Sequence, residues 1–185
     1  MEYFEKQVDS DCTIHSLNNA LGLRAIDKEG VLRHIEGKVA EAREYGGPDE
    51  AEKLRSTLAS GNTFFTAESV WNAAKAAGTL KGTRPVAGFG GLFTRVAGLP
   101  PDVRQKSSMV VLGANPAGGP HAIAVRAGKI YDSARHDQGP VEFNDENLTK
   151  SLGAVYAAYV MLPPGSGRDA HPQPRHLYAP TLIRA

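Results

Sequence analysis

Four residues of this chain have the types and the spacing that a cysteine hydrolase uses: Gln7, Cys12, His121 and Asp132. Cys12 opens a helical pattern, and the N-terminal end of a helix favours the thiolate, which is the nucleophilic form of cysteine. His121 is a candidate general base that would pair with the thiolate once it is protonated. The pattern therefore predicts acyl transfer at a site assembled from both ends of the chain.

Asp132 and Gln7 have supporting roles in this hypothesis. Asp132 lies on the predicted strand that returns after His121, where its carboxylate could hold the imidazole in the required tautomer. Gln7 lies shortly before Cys12, so its side-chain amide could join the Cys12 backbone N–H in an oxyanion hole. Taken singly, each residue also has a structural explanation, such as a packed cysteine or a strand-end histidine.

The hairpin that carries His121 and Asp132 must have one particular register. Side chains alternate between faces along a strand. His121 and Asp132 therefore share a face only if the residue numbers of each cross-strand pair add to an odd number. A two-residue turn at Arg126–Ala127 or at Ala127–Gly128 meets this condition. A three-residue turn ending at Gly128 would separate them unless a bulge intervened, and the sequence leaves these alternatives open.

The first half of the chain is predicted to be helical. Apolar spacing predicts a helix from Cys12 that stops at Gly22, and a later helix that begins after Thr66 and ends at Gly78. Between them, residues 27–58 read as two polar helices that are interrupted at residues 46–48. Because this helical hairpin has few large apolar residues, we expect it to project from the core, with a locally acidic middle.

The second half is predicted to contain strands, so the fold class is α+β. The segments Met109–Leu112 and Tyr156–Leu162 read as strands, and His121–Val125 forms a hairpin with Lys129–Ser133. A helix is expected near Asn144–Leu152.

The chain is expected to comprise one domain and a tail. Residues 1–163 form the domain, and the Pro-rich residues 164–185 form a disordered or extended C-terminal tail. Residues 79–107 are punctuated by Gly and Pro and are not assigned, apart from a short helix or strand near residues 92–96.

Composition excludes several classes of protein. The 185 residues carry a formal net charge of +1, which argues against a nucleic-acid partner. The single cysteine cannot form an internal disulfide, and no CxxC pair is present to build a zinc site. No apolar run is long enough for a membrane segment, and the N-terminus does not resemble a secretory signal. We therefore expect a reduced, intracellular protein.

Three blocks of sequence resemble the Josephin family of cysteine deubiquitinases, in the order in which the family has them. The first is the most specific, and together the blocks span residues 2 to about 162. They are Tyr3-Phe4-Glu5-Lys6-Gln7 with Cys12, His15, Leu17-Asn18-Asn19 and Leu21; Ser60-Gly61-Asn62 with Phe64-Phe65-Thr66, Asn72-Ala73 and Lys75; and His121 with Val125-Arg126, Gly128, Tyr131 and Gly139-Pro140.

The resemblance implies a papain-like cysteine protease fold with a helical subdomain, a projecting helical hairpin and an antiparallel sheet. It implies Cys12 as nucleophile, His121 as base, Gln7 in the oxyanion hole and Asp132 as the orienting residue, where the family commonly has Asn. The implied reaction is hydrolysis of the bond after the C-terminal Gly of ubiquitin, through a Cys12 thioester. The implied partner is ubiquitin or polyubiquitin, and no metal or cofactor is required.

Two further positions are predicted to contact substrate. Ala122 stands where the family usually has an aromatic residue beside the catalytic histidine, which removes a large contact surface. Trp71 could replace it as an exposed anchor, although a core tryptophan is the favoured alternative.

Two other functions stay open. One is a binding module for ubiquitin or a ubiquitin-like protein without catalysis, and the other is a Cys–His hydrolase or acyltransferase for another modifier. The expected location is the cytoplasm, or a host's cytoplasm if the chain is a viral or bacterial effector.

Overall fold

The computed structural model describes residues 2–7, 10–60, 64–87 and 107–162. The predicted element near residues 92–96 and the predicted tail at residues 164–185 lie outside the described residues.

Helix α1 (Cys12–Leu21) begins and ends where the sequence predicts. It ends because Gly22 takes the left-handed conformation, with φ at 74°, and its N–H bonds to the carbonyl oxygens of Asn18 and Asn19. Almost every residue of α1 is buried, including Ile14 and Leu17. The helix is therefore enclosed by the other elements and holds its first residue in a fixed place.

Two buried asparagines of α1 hold the chain on both sides of the helix. Asn18 Oδ1 accepts the N–H groups of Ala25 and Ile26 at 3.0 and 3.2 Å, which fixes the loop that follows. Asn19 Oδ1 accepts the Glu5 N–H at 2.6 Å, and Asn19 Nδ2 donates to the Glu5 carbonyl at 3.2 Å. The N-terminal segment therefore runs along α1 as an extended chain.

The predicted helical hairpin is confirmed as α2 (Lys28–Gly46) and α3 (Pro48–Leu58). Its distal turn is exposed, but its base is less separate from the core than its polar sequence suggests. The side chains Val31, Ile35, Val39 and Ala51 are buried in the main core because α2 packs along α4 (Ala67–Ala76). Only the far part of this helical hairpin projects.

Helix α4 starts at the predicted cap. The Thr66 hydroxyl accepts the N–H of Ser69 at 3.1 Å, which satisfies one of the free donors at the helix start. Phe65 and Val70 are fully buried beside it. No helix in the described ranges is long and apolar enough to cross a membrane.

Six strands of the described residues form one antiparallel sheet, which confirms the α+β class. Their spatial order is β3, β8, β4, β5, β6, β7. The strands are β3 (Arg84–Ala87), β4 (Ser108–Ala114), β5 (Pro120–Arg126), β6 (Lys129–Tyr131), β7 (Val141–Glu142) and β8 (Ala154–Leu162), and a separate hairpin consists of β1 (Ala59–Ser60) and β2 (Phe64–Phe65).

The sheet separates two apolar cores, because its side chains alternate between faces. Val110, Ala124 and Met161 belong to the core shared with α1, α2 and α4. Val111 and Ile123 belong to the other core, where Leu148 of the confirmed helix α5 (Asp145–Ser151) packs. A slip of one residue in any central strand would exchange these two sets of side chains.

The hairpin between β5 and β6 has the two-residue turn Ala127–Gly128. Ala124 pairs with Tyr131, Val125 with Ile130 and Arg126 with Lys129. The residue numbers of every pair add to the same odd number, as the shared face requires. Both turn residues have positive φ, 49° at Ala127 and 73° at Gly128, as a type I′ turn requires. One of the registers that the sequence left open is thereby selected.

Strand β6 ends two residues earlier than the sequence predicts. The chain leaves the sheet after Tyr131 and forms a 3₁₀ helix over Ser133–Gln138. The physical reason is a local cap, since the Asp132 carboxylate accepts the N–H of Ala134 at 3.1 Å. The predicted strand segment Lys129–Ser133 is corrected accordingly.

The strained turn gives a test of the register. Ala127 is exposed. Among the described residues, every other one with a positive φ is a glycine. Asn tolerates this conformation better than Ala, so Ala127→Asn should raise the free energy of unfolding by about 1 kcal/mol, and Ala127→Val should lower it. Thermal unfolding should show Tm shifts of about 2–4 °C in opposite directions. Equal Tm values for all three proteins would contradict this turn.

Candidate active site

Cys12 is the first residue of α1, and only 3% of its surface is exposed. Asp11 precedes it, but the Asp11 carboxylate does not cap the helix. It forms an ion pair with Lys28 of α2, with Oδ1 3.3 Å from Nζ. The Asp11 carboxylate is thus paired with Lys28 and not with the N–H groups at the start of α1, the helix end that carries the sulfur.

His121 and Asp132 meet as the hairpin register requires. His121 Nε2 lies 2.9 Å from Asp132 Oδ1, and both side chains are 7% exposed. His121 stands opposite Gly113 of β4, at a bulge where β4 pairs with β8. A side chain at Gly113 would collide with the backbone carbonyl of Ala154, so this glycine lets the sheet close tightly beneath the histidine.

The Asp132 carboxylate is itself held in place. Its Oδ1 accepts hydrogen bonds from the His121 Nε2 and from the Ala134 N–H. Its Oδ2 lies 3.9 Å from the Arg135 Nε. The acceptor that orients the imidazole is therefore anchored to the backbone of the 3₁₀ helix. Its place in the structure agrees with the predicted position of the orienting residue.

Cys12 and His121 line the same cleft. Burial by itself lowers the pKa of His121, but Asp132, through its hydrogen bond and its charge, and the nearby side chain of Cys12 raise that pKa to about 9. The imidazole is then protonated at neutral pH. Because Nε2 bonds to Asp132, Nδ1 is the ring nitrogen that remains for a second partner.

Gln7 lies in the same cleft as Cys12. Its backbone N–H donates to the Ser133 carbonyl at 3.0 Å, and its Oε1 accepts the Ser133 hydroxyl at 3.3 Å. Upstream, the Phe4 ring packs edge-on against Tyr131, with centroids 5.4 Å apart. The structure thus brings together all four residues of the predicted site, from three separate segments of chain.

The cleft around these residues has a volume of about 700 Å³. Several of the side chains that line the cleft are small. An extended chain of small residues is therefore the kind of ligand that the cleft obstructs least. The residues lining the cleft are Gln7, Ser10, Cys12, Asn115, Pro116, Ala117, Pro120, His121, Asp132, Ala134, Arg135 and Ser151.

The two predicted substrate-contacting positions are buried. Trp71 is 7% exposed and packs in the main core, as the alternative interpretation of its apolar stripe expected. Ala122 is fully buried on β5. Neither residue is among those that line the cleft in the described part of the chain. Their contact with substrate stays a prediction.

Sequence reasoning missed Ser133 and Arg135. They lie one and three residues after Asp132, and only Ser133 belongs to the predicted strand Lys129–Ser133. Neighbours in a strand point to opposite faces, so the prediction turns Ser133 away from Asp132. The available signal was Asp132 itself, because an aspartate side chain often accepts a backbone N–H two residues later and so starts a turn. His15, which lies three residues after Cys12, is close to Glu5 instead, with its Nδ1 3.1 Å from the Glu5 Oε2.

The raised pKa of His121 can be measured directly. Asp132→Asn removes the carboxylate charge but keeps an acceptor oxygen, so it should lower the pKa of His121 from about 9 toward the ordinary value of 6.5. An NMR titration of the imidazole protons measures this change. His34, whose pKa is lowered by burial and by Lys38, is an internal control that should not move. An unchanged His121 pKa in Asp132→Asn would contradict the arrangement.

The same shift makes stability depend on pH. A histidine whose folded pKa is raised stabilises the fold fully below its unfolded pKa of 6.5, and the contribution is lost as pH rises through about 9. The Tm of wild type minus that of His121→Gln should therefore fall between pH 6 and pH 10, by roughly several degrees. A difference that is constant over this range would show that His121 does not gain its proton affinity from folding.

Comparison with known proteins gives no family for this chain. No protein-family model matches it, and no curated protein matches it either.

Proposed function

We propose that this chain is a cysteine-type deubiquitinase with a papain-like Josephin fold, which hydrolyses the isopeptide or peptide bond after the C-terminal Gly of ubiquitin. One observation carries the proposal: a buried cysteine at a helix start lines the same cleft as Gln7 and as His121, which is hydrogen-bonded to Asp132. These residue types are those of a nucleophile, an oxyanion donor, a base and an orienting acceptor.

Acylation would proceed as follows. The Cys12 thiolate attacks the carbonyl carbon of the terminal Gly, an S–C bond forms, and the carbonyl electrons move to oxygen. The Gln7 amide and the Cys12 backbone N–H donate to this oxyanion. When the intermediate collapses, the C–N bond breaks, and the His121 imidazolium gives its proton to the departing amine. A thioester and a neutral histidine result.

Deacylation reverses the roles. The neutral His121 takes a proton from water, and the resulting hydroxide attacks the thioester carbonyl. Collapse breaks the S–C bond, releases the ubiquitin carboxyl group and restores the thiolate and the imidazolium. The hydrogen bond from His121 to Asp132 keeps the ring in place through both steps.

Ubiquitin as the substrate is supported by the three Josephin-like blocks rather than by the geometry. The cleft of about 700 Å³, with Ser10, Ala117 and Ala134 among its lining residues, has room for a Gly-Gly terminus. The exposed far end of the helical hairpin is rich in acidic side chains, which could attract the arginines of the ubiquitin tail. These side chains are Glu41, Glu44, Asp49, Glu50 and Glu52. We propose the cytoplasm, or a host's cytoplasm for an effector, as the location.

The alternative functions are compatible with parts of this geometry. A binding module without catalysis would have no use for the grouping of Cys12, His121 and Asp132 in one cleft. A hydrolase or acyltransferase for another modifier would use the same array, and only substrate profiling separates it from a deubiquitinase.

Hydrolysis of a fluorogenic ubiquitin C-terminal amide tests the proposal. Cys12→Ala should abolish turnover, and His121→Ala should lower kcat by about 10²–10⁴-fold because it removes the acid–base group. His34→Ala is the matched control, since His34 lies on α2 outside the cleft, and its kcat should equal that of wild type.

Four outcomes separate the hypotheses. Turnover with ubiquitin that depends on Cys12 supports the deubiquitinase. Cys12-dependent turnover only with amides of other modifiers would replace ubiquitin by that modifier. Full activity of Cys12→Ala would overturn the assignment of Cys12 as the nucleophile. Binding of ubiquitin by folded wild type without turnover would favour the binding module.

A further inference from the structure

Ser133 touches the oxyanion-hole candidate at two points. It is 1% exposed, and its backbone carbonyl accepts the Gln7 N–H at 3.0 Å. Its hydroxyl donates to Gln7 Oε1 at 3.3 Å. The first bond fixes the backbone of Gln7 beside the cleft, and the second acts on the carboxamide that would do the chemistry.

A glutamine can serve an oxyanion only through its N–H₂ end. The terminal torsion of Gln is broad, so the carboxamide could present either its oxygen or its nitrogen to the cleft. An oxygen in that place would repel the developing negative charge. A hydroxyl that donates to Oε1 removes this orientation and turns the N–H₂ end away from Ser133. At 3.3 Å the bond is longer than the usual 2.7–2.8 Å, so it restrains orientation more than it adds stability.

We propose that Ser133 is a positioning residue that orients the Gln7 carboxamide for oxyanion stabilisation. The inference rests on the proposed acyl transfer at Cys12 and deepens it. Because Asp132 and Ser133 are adjacent, one turn after β6 supports both halves of the site: Asp132 orients the base, and Ser133 orients the oxyanion donor. The two catalytic functions then share one backbone support.

Two small reagents separate these halves without using ubiquitin. Acylation by p-nitrophenyl acetate forms an S–C bond at a carbonyl, creates an oxyanion and releases p-nitrophenolate. Alkylation by iodoacetamide forms an S–C bond, releases iodide and creates no oxyanion. Comparison of the intact masses of wild type and Cys12→Ala assigns both products to Cys12, the single cysteine of the chain.

A double-mutant cycle gives the expected pattern. Gln7→Ala should slow acylation by about 10²-fold and Ser133→Ala by about tenfold, relative to wild type. Combining them should give the rate of Gln7→Ala alone, because Ser133 acts only through Gln7. Iodoacetamide should react with all variants within about twofold of the wild-type rate, since Asp132 and His121 are untouched. Ser133→Thr keeps the hydroxyl and should recover most of the acylation rate.

Controls and contrary results are defined by the same reactions. Ser16→Ala is the matched control, because Ser16 is fully buried on α1 and its hydroxyl has no hydrogen-bond partner among the described residues. Its rates should equal those of wild type. If Ser133→Ala unfolds, the nearly isosteric Ser133→Cys, with its weak donor, carries the same expectation, and peptide mapping then counts the product at Cys12 apart from any product at the introduced thiol.

Equal slowing of acylation and alkylation by Ser133→Ala, or a further tenfold loss in the Gln7→Ala background, would overturn the positioning role. Wild type that is acylated at Cys12 but does not hydrolyse ubiquitin amides would overturn the ubiquitin substrate and leave the Ser133 inference standing. Folded wild type that is not acylated at all would overturn both.

Discussion

The register of one hairpin decides whether this site can form. The turn at Ala127–Gly128 places His121 and Asp132 on the same face, and the 2.9 Å bond between them follows from that register. The same register sends Ile123 and Ala124 into opposite cores. A slip of one residue would therefore destroy the two cores and the site together, so apolar burial enforces the alignment of His121 with Asp132. The strain at Ala127 is retained because so much packing depends on it.

Cys12 is fixed in place by the packing of α1. The helix contacts β4, β5 and α4, and its buried Asn18 and Asn19 bind the chain that precedes and follows it. The N-terminal segment is also attached to the hairpin, because Glu2 contacts Tyr131 and Arg126 donates to the Tyr3 carbonyl at 2.8 Å. Gln7 thus reaches the cleft on a segment that is held at both sides. Three parts of the chain converge with little freedom, which is the preorganisation that oxyanion stabilisation needs.

Much of this could be predicted from local signals. Caps and apolar spacing located α1 and its stop at Gly22, since these depend on neighbouring residues only. The hairpin register could not be chosen, because more than one turn position was compatible with Gly128. Ser133 was missed because the competition between strand and a capped turn after Tyr131 is decided by the Asp132 side chain in its tertiary setting. The burial of Val31 at the base of the helical hairpin likewise depends on α4, which a polar sequence pattern does not reveal.

The central claim is that Cys12 is a nucleophile presented to the C-terminus of ubiquitin. The most direct measurement is the intact mass of the protein after incubation with ubiquitin that carries a C-terminal electrophile. The account predicts one covalent adduct on wild type, mapped to Cys12, and none on Cys12→Ala. Absence of the adduct from folded, reduced wild type would contradict ubiquitin as the substrate, and an adduct on Cys12→Ala would contradict the nucleophile.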